Sequence, residues 1–423
     1  MFADDKVKFK SIKGTKDVLP GESGDWQFAE ETIRHVMSIF NYREIRTPVF
    51  EQTALFSRSI GELTDIVSKE MYTFIDRSEE SLTLRPEGTA SALRAYIQHN
   101  VGEQQPLTKL YYLGPMFRQE RPQAGRLRQF HQFGAEALGS TSPQLDVEMM
   151  LIALRVYREL GILEFTLKIN SVGCEICRPP YKKLLVEALQ SIRTKLSAES
   201  QVRVDQNPLR VLDSKDENDQ ALTGGVPLMK DHLCPECSEH FREVQTLLET
   251  AKTPFIIDGR LVRGLDYYTK TAFEISSPAL GSQDALAGGG RYDLLVEELG
   301  GKPTPGVGFA AGMERLLMAL AKAGTSRKAD LSPVLFIVTT DESSRRWAFG
   351  EAQALRSKGL RVEIDYLGRS VKAQMREANR QEAHFAMVIG ETEMQSRSAK
   401  LKNMKTGDEK PVSLENIESI LRS

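Results

Sequence analysis

Apolar residues at Trp26, Ala29, Ile33, Val36, Met37 and Phe40 recur every three or four positions, which puts them on one stripe of an amphipathic helix. The extended stretch "IKGTKDVLPGE" precedes this helix and a strand, "YREIRTPVFE", follows it. From Lys109 to Leu138 the period changes to two, in two runs separated by "RPQAG". That pattern predicts a hairpin with a long loop. Period two also sets the faces: Phe130, Gln132, Gly134 and Glu136 share one, as do Gly114, Met116, Arg118 and Glu120.

From Pro179 to Thr250 the chain reads as mostly helical and polar, with the irregular "DQNPLRVLDSKDENDQALTGG" in its middle, as if inserted between sheet segments. Strands are expected again at "FIIDGRLVRG" and "TAFEIS", then a turn into a helix at "AGGGRYDLLVEELG". "PGVGFAAGMERLLMALAKAG" reads as strand, glycine turn and helix. After the polar "TSRKADLSP", the buried-type strands "VLFIVTT", "LRVEIDY" and "HFAMVIG" alternate with helical stretches, the pattern of a small α/β domain. The expected division is a domain over 1–325 with an insertion at about 175–255, a linker over 326–332, and a second domain over 333–423.

With 423 residues, 40% hydrophobic and 27% charged, the chain has the composition of an ordinary globular protein of two or three domains. The amino terminus has no apolar core of a signal peptide, and no run approaches the roughly 18 apolar residues of a membrane span, so a cytoplasmic protein is expected. A formal net charge of -2 gives no overall sign of nucleic acid, so any such partner must be argued from local patches.

One patch stands out. The hairpin gathers Arg118, Arg121, Arg126 and Arg128 beside Phe130. Arginine offers fixed, bidentate donors to phosphate or carboxylate, and a neighbouring aromatic suits a base, while Glu120 suits a base amino group or a metal. An exposed hairpin with scattered ion pairs fits the same residues. "TLRPEGTA" sets Arg85, Glu87 and Thr89 around a turn, and "LVRGLDYYTK" sets Arg263 beside Asp266, Tyr267 and Tyr268. The triple glycine of "AGGGRYD" permits close backbone approach but has neither the lysine of a phosphate loop nor a dinucleotide spacing. Arg315 falls in the first turn of the helix after "GVGFAAG", where a buried cation needs an anion.

Taken together, these stretches resemble the three signature motifs of class II aminoacyl-tRNA synthetases: "RTPVFE" around Pro48, "FRQE" through "QFGAE", and "GVGFAAGMER". "LVRGLDYYTK" and "AGGGRYD" narrow the resemblance to the histidyl-tRNA synthetases, over nearly the whole chain. The resemblance implies a fold of mixed α/β and α+β type. An antiparallel-sheet catalytic domain with a helical insertion would be followed by an α/β anticodon-binding domain. It also implies ATP-dependent activation of L-histidine and transfer to the 3′ ribose of its tRNA. ATP with Mg²⁺ would be the substrate complex, and the first motif would form a homodimer. By the same resemblance Arg263 and Arg118 are catalytic. ATP would be held by Arg118, Glu120, Arg126, Phe130 and Arg315, with the base on Phe130. Histidine would meet Glu87, Thr89, Gln132, Glu136, Arg263, Tyr267 and Tyr268. Arg121 and Gln123 would meet the tRNA acceptor end.

Two other classes fit part of this pattern. A non-catalytic regulatory subunit of histidine biosynthesis would typically lack the anticodon domain and the arginines, and an RNA-sensing module would carry a kinase signature or another domain. In the second domain Arg369, Lys372, Arg376 and Arg380 are spaced by three, four and four and would line one helix face. Such a face is either solvated or, as the resemblance favours, in contact with tRNA. The four cysteines fall in two pairs, Cys174 with Cys177 and Cys234 with Cys237, each with the two-residue gap that lets both thiolates reach one ion. A structural Zn²⁺ clipping the two ends of the insertion is expected. Two buried reduced pairs are the alternative.

Overall fold

The computed structural model describes residues 9–61, 64, 66–123, 125–265, 267–326 and 332–422. Most of the expected linker, at 327–331, lies outside them, as does Asp266. The chain divides into two compact units, Met1–Lys328 and Ala329–Ser423. Among the described residues no helix is long and apolar enough to cross a membrane.

The first unit is built on an eight-stranded sheet. In spatial order its strands are Arg43–Glu44, Thr108–Phe117, Gln129–Leu138, Gly306–Gly312, Ala285–Arg291, Thr269–Ser276, Thr166–Ser171 and Ile256–Ile257. The two outermost pairings are parallel and every other one is antiparallel. The helix Pro20–Ile39 buries Ala29, Ile33, Val36 and Met37, the stripe expected from its spacing. The helix Pro143–Glu159 starts where the Ser142 side chain accepts the Gln144 N–H. Its Met149, Met150, Ile152, Leu154, Val156 and Tyr157 are fully buried. At about 1.5–3 kcal/mol for each large apolar side chain removed from water, this layer is a large source of the stability that holds the sheet in place.

Several local expectations change. "YREIRTPVFE" is two strands: Arg43–Glu44 joins the large sheet, and Phe50–Gln52 joins a small sheet with Ser81–Leu84 and Tyr72–Ile75. Pro48 lies between them and has no N–H for a continuous ladder. In "FIIDGRLVRG" only Ile256–Ile257 is strand. The triple glycine of "AGGGRYD" is an interior strand, not a turn, and the following helix is only Leu295–Glu298. Arg291, next in that motif, is fully buried and pairs with Asp146 and, at 3.0 Å, with Asp293. It also donates to the Ser140 and Ser142 carbonyls. A buried charge with this many partners ties the strand to the Pro143–Glu159 helix, and removing one partner would leave an uncompensated ion.

The second unit has five strands in the order Val362–Ile364, Leu335–Thr339, Phe385–Ile389, Ser398–Asn403, Glu409–Ser413. The first three are parallel, and residues 335–338 and 386–389 are apolar as expected, while Val362 and Ile364 flank Glu363. The last two are antiparallel and carry Lys400, Lys402 and Lys410, a polar edge whose weak alternation was not legible.

Candidate active site

The hairpin register brings the expected face together. Gly114 pairs with Gln132, Met116 with Phe130, Tyr112 with Gly134 and Leu110 with Glu136. A cavity of about 1060 Å³ opens over this face, and Glu87, Thr89, Phe130 and Gln132 line it. Gln132 Oε1 is buried with no hydrogen-bond partner. A buried acceptor in that state marks a place where a ligand donor fits. Glu87 is buried because both its oxygens accept N–H groups at the start of the helix Thr89–Gln98, Thr89 N at 2.6 Å and Ala90 N at 2.8 Å. Burial, above all, raises its pKa.

Glu136 does not line the cavity. It lies one layer beneath, fully buried, accepting the hydroxyls of Thr89 at 2.8 Å, Tyr112 at 3.2 Å and Tyr292. Burial pushes its carboxyl up to about 8, against those hydrogen bonds. In this structure its carboxylate binds Thr89 and Tyr292, and both of those line the cavity. Two glycines make room for this layer. A Cβ at Gly308 would lie 1.7 Å from Glu136 Oε2, and one at Gly288 would lie 1.9 Å from Arg263 Nη2. The glycine strand is thus explained by side chains that occupy the space its own would need.

The cations ring the same cavity. Arg118 leaves the end of its strand, donates to the Pro86 carbonyl at 2.9 Å, and lies over the Phe130 ring at 5.3 Å. One face of Phe130 is therefore covered by a guanidinium. Glu120 stands 3.7 Å from Arg118 and 3.4 Å from Arg126, so two cations share one carboxylate. Arg315 donates to the carbonyls of Ala285 at 2.9 Å and Gly125 at 3.3 Å. Burial, above all, with Arg126 beside it, lowers its pKa. It sits in the first turn of the helix Met313–Ala323, whose positive end favours an anion at the same place. Arg263 pairs with Glu274 at 2.8 Å. Tyr267 and Tyr268 pack with ring centroids 4.7 Å apart and planes tilted by 48°, and burial pushes the Tyr268 phenol up to about 12, so it stays a neutral donor.

Not every arginine of the hairpin belongs here. Arg128 holds the amino-terminal segment through the Lys13 and Gly14 backbone. Arg85 is pinned to the Pro115 and Thr47 carbonyls. Arg121 and Gln123 are exposed on the loop and do not line the cavity. In the second unit, Arg369 precedes the helix Val371–Arg380 and does not lie on it; it pairs with Asp365 at 2.5 Å and Glu377 at 3.1 Å. Arg380 also binds Glu377. Only Lys372 and Arg376 of the basic row are exposed without an ion pair among the described residues.

Sequence reasoning missed Tyr112, Tyr292 and Glu274. The alternation places Tyr112 on the Gln132 face, a signal that was present. It also missed Arg210 and Lys215, which the inserted region brings to the cavity wall, and no local pattern marks them.

A histidyl-tRNA synthetase family model matches residues 14–316, and an anticodon binding domain model matches residues 334–423. The chain is 49% identical to the histidine–tRNA ligase of Caldanaerobacter subterraneus subsp. tengcongensis, over 98% of this chain and 99% of that protein. It is 48% identical to the histidine–tRNA ligase of Halothermothrix orenii, over 96% and 97%. The crystal structure of the apo histidyl-tRNA synthetase of S. aureus superposes with a TM-score of 0.84 at 37% identity, covering 98% of this chain and all of that one. The cleft and the full-length match lead to the same place: the chain belongs to the histidyl-tRNA synthetase family.

Proposed function

We propose that the cleft activates histidine with ATP and passes it to tRNA, with the residue roles that follow. The observation that carries the reading is the sharing of Glu120 by Arg118 and Arg126, which leaves positive charge in a half-buried cleft for a polyphosphate. ATP lies with its base on the open face of Phe130, its α-phosphate toward Arg118 and Arg263, and its far phosphates toward Arg126 and Arg315. Glu120 and Glu274 are oxygen donors suited to Mg²⁺ carried in with the nucleotide.

Histidine binds between Gln132, Thr89, Glu87 and the two tyrosines. Its carboxylate is ionised at neutral pH, so attack on the α-phosphorus needs no general base. An oxygen–phosphorus bond forms, the bond to pyrophosphate breaks, and the arginines hold the spreading charge in place. The tRNA ribose hydroxyl then attacks the activated carbonyl and AMP leaves. The exposed loop residues Arg121 and Gln123 support contact with the acceptor end. In the second unit Lys372 and Arg376 support contact with the anticodon side, and Arg369 and Arg380 serve the fold instead.

The exposed apolar side chains Val49, Phe50, Phe74 and Ile75 support a homodimer through the small sheet. A structural Zn²⁺ on Cys174, Cys177, Cys234 and Cys237 completes the reading. Pyrophosphate exchange measured with each of the twenty amino acids tests it. Exchange with histidine alone is expected. Histidine binding with no exchange would favour the regulatory-subunit reading.

A further inference from the structure

The two cysteine pairs lie 60 residues apart in sequence and meet in space. Cys174 and Cys177 precede the helix Arg178–Gln190, and Cys234 and Cys237 open the helix Pro235–Thr250. All four sulfurs lie within 4.8 Å of one another. Cys174 Sγ is 3.7 Å from Cys177 Sγ and 3.8 Å from Cys234 Sγ. Four sulfurs at about 2.3 Å from one zinc form a tetrahedron with edges of about 3.8 Å, so these separations fit the ion. The Cys234 N–H donates to Cys177 Sγ at 3.1 Å, a backbone donor that suits a thiolate.

The cluster is joined to the histidine side of the cleft by two routes. Arg178, directly after Cys177, donates to the Val172 carbonyl at 3.1 Å and to the Tyr268 carbonyl. Glu236, directly before Cys237, accepts Lys270 Nζ at 2.8 Å. The backbone ties the same two segments: Val172 N donates to the Lys270 carbonyl at 2.7 Å, and Lys270 N donates to the Gly173 carbonyl at 2.9 Å. Lys270 has φ of 49°, a left-handed conformation that a non-glycine residue keeps only where its surroundings impose it. Lys270 sits at an irregularity in the pairing of its strand, and its backbone there meets the turn that leads into Cys174.

We infer that a zinc ion bound by Cys174, Cys177, Cys234 and Cys237 positions Tyr268 for histidine, through Arg178 and the Gly173–Lys270 backbone pair. The inference rests on the reading of the cleft as the histidine site. Its metal half is tested without activity. Protein purified without chelator should carry about one zinc per chain, and Co²⁺ exchanged into the site should show the absorption of tetrahedral thiolate ligation. Cys174→Ser should lose the metal and lower Tm. Metal-free protein with four alkylatable thiols overturns the site.

The coupling half needs a variant that keeps the metal. Arg178→Ala should retain zinc, raise the KM for histidine in pyrophosphate exchange by about 10-fold and leave the KM for ATP near that of the parent. An unchanged KM for histidine in Arg178→Ala with zinc bound overturns the coupling. Loss of zinc from Arg178→Ala overturns it too, because the arginine would then support the metal and not the tyrosine. If the parent protein shows no histidine-dependent exchange, the cleft reading fails, and the metal result is unaffected.

Discussion

The cleft and the helix Val371–Arg380 both gather arginines, and they treat them in opposite ways. On the helix side, Arg369 and Arg380 converge on Glu377, and Arg369 also takes Asp365, so cations are answered by carboxylates within hydrogen-bond range. Hydrogen bonds from Arg380, Gln381 and Arg369 hold the Glu377 carboxyl at about 2, low in the carboxylate range. In the cleft, Arg118 and Arg126 share Glu120 at longer range, and Arg315 rests on carbonyl oxygens. A row of arginines therefore does not by itself mark a polyanion site. What marks it is the convergence of Arg118, Arg126, Arg263 and Arg315 on one cavity, where burial already weakens solvation.

The contrast is most exposed to test at Arg263, whose partner Glu274 is close enough to hold it but whose guanidinium also faces the cavity. Arg263→Ala should cut histidine-dependent pyrophosphate exchange by about 10² or more with the fold intact. Near-parental exchange would put Arg263 in the same class as Arg369.

A second experiment separates the units. Ending the chain after Leu331 should leave pyrophosphate exchange in place and lower tRNA charging by about 10-fold or more, because the second unit contributes binding and not chemistry. Each unit has its own apolar core, so the shortened chain should still melt cooperatively. Equal charging by both proteins would make the second unit's exposed cations merely solvated.

Within that unit the pairing can be tested directly. The double variant Lys372→Ala, Arg376→Ala should raise the KM for tRNA by about 3-fold to 10-fold, with an effect that shrinks as salt rises. Arg369→Ala should instead lower Tm and change the KM for tRNA less. The reverse order would show that the ion pairs open on RNA binding.

The smallest effect concerns Glu136. Its pKa rises from 4.5 to about 8 on folding, so between those values the folded state holds a proton that the unfolded chain has released. Stability from this group is therefore greatest below the unfolded value, falls as pH rises through the window, and levels off above the folded one. Glu136→Gln, neutral at every pH, should have a Tm that rises relative to the parent as pH increases from about 5 to about 8. A constant difference across that range would mean that Glu136 stays ionised among its three hydroxyl donors.

Much of this protein was determined by local pattern. The helix stripe from Trp26 to Phe40, the hairpin and its faces, and the parallel strands of the second unit follow from periods of 3.6 and 2. The cysteine gaps and the motif residues were equally plain, because each is a short-range spacing. Tertiary structure alone decided which charges are compensated. Arg85, Arg128 and Arg291 look like Arg118 and Arg315 in sequence, yet only the last two of these five line the cavity, and the first three are spent on carbonyls and carboxylates elsewhere in the fold. Glu87 and Glu136 look alike in sequence, yet the first accepts backbone N–H groups and the second accepts three hydroxyls. The triple glycine, read as a turn, became a strand because Arg263, Tyr268 and Phe309 fill the space its side chains would take. A charge carries no record of its partner in the residues beside it, since that partner is supplied by chain brought close only when the core closes.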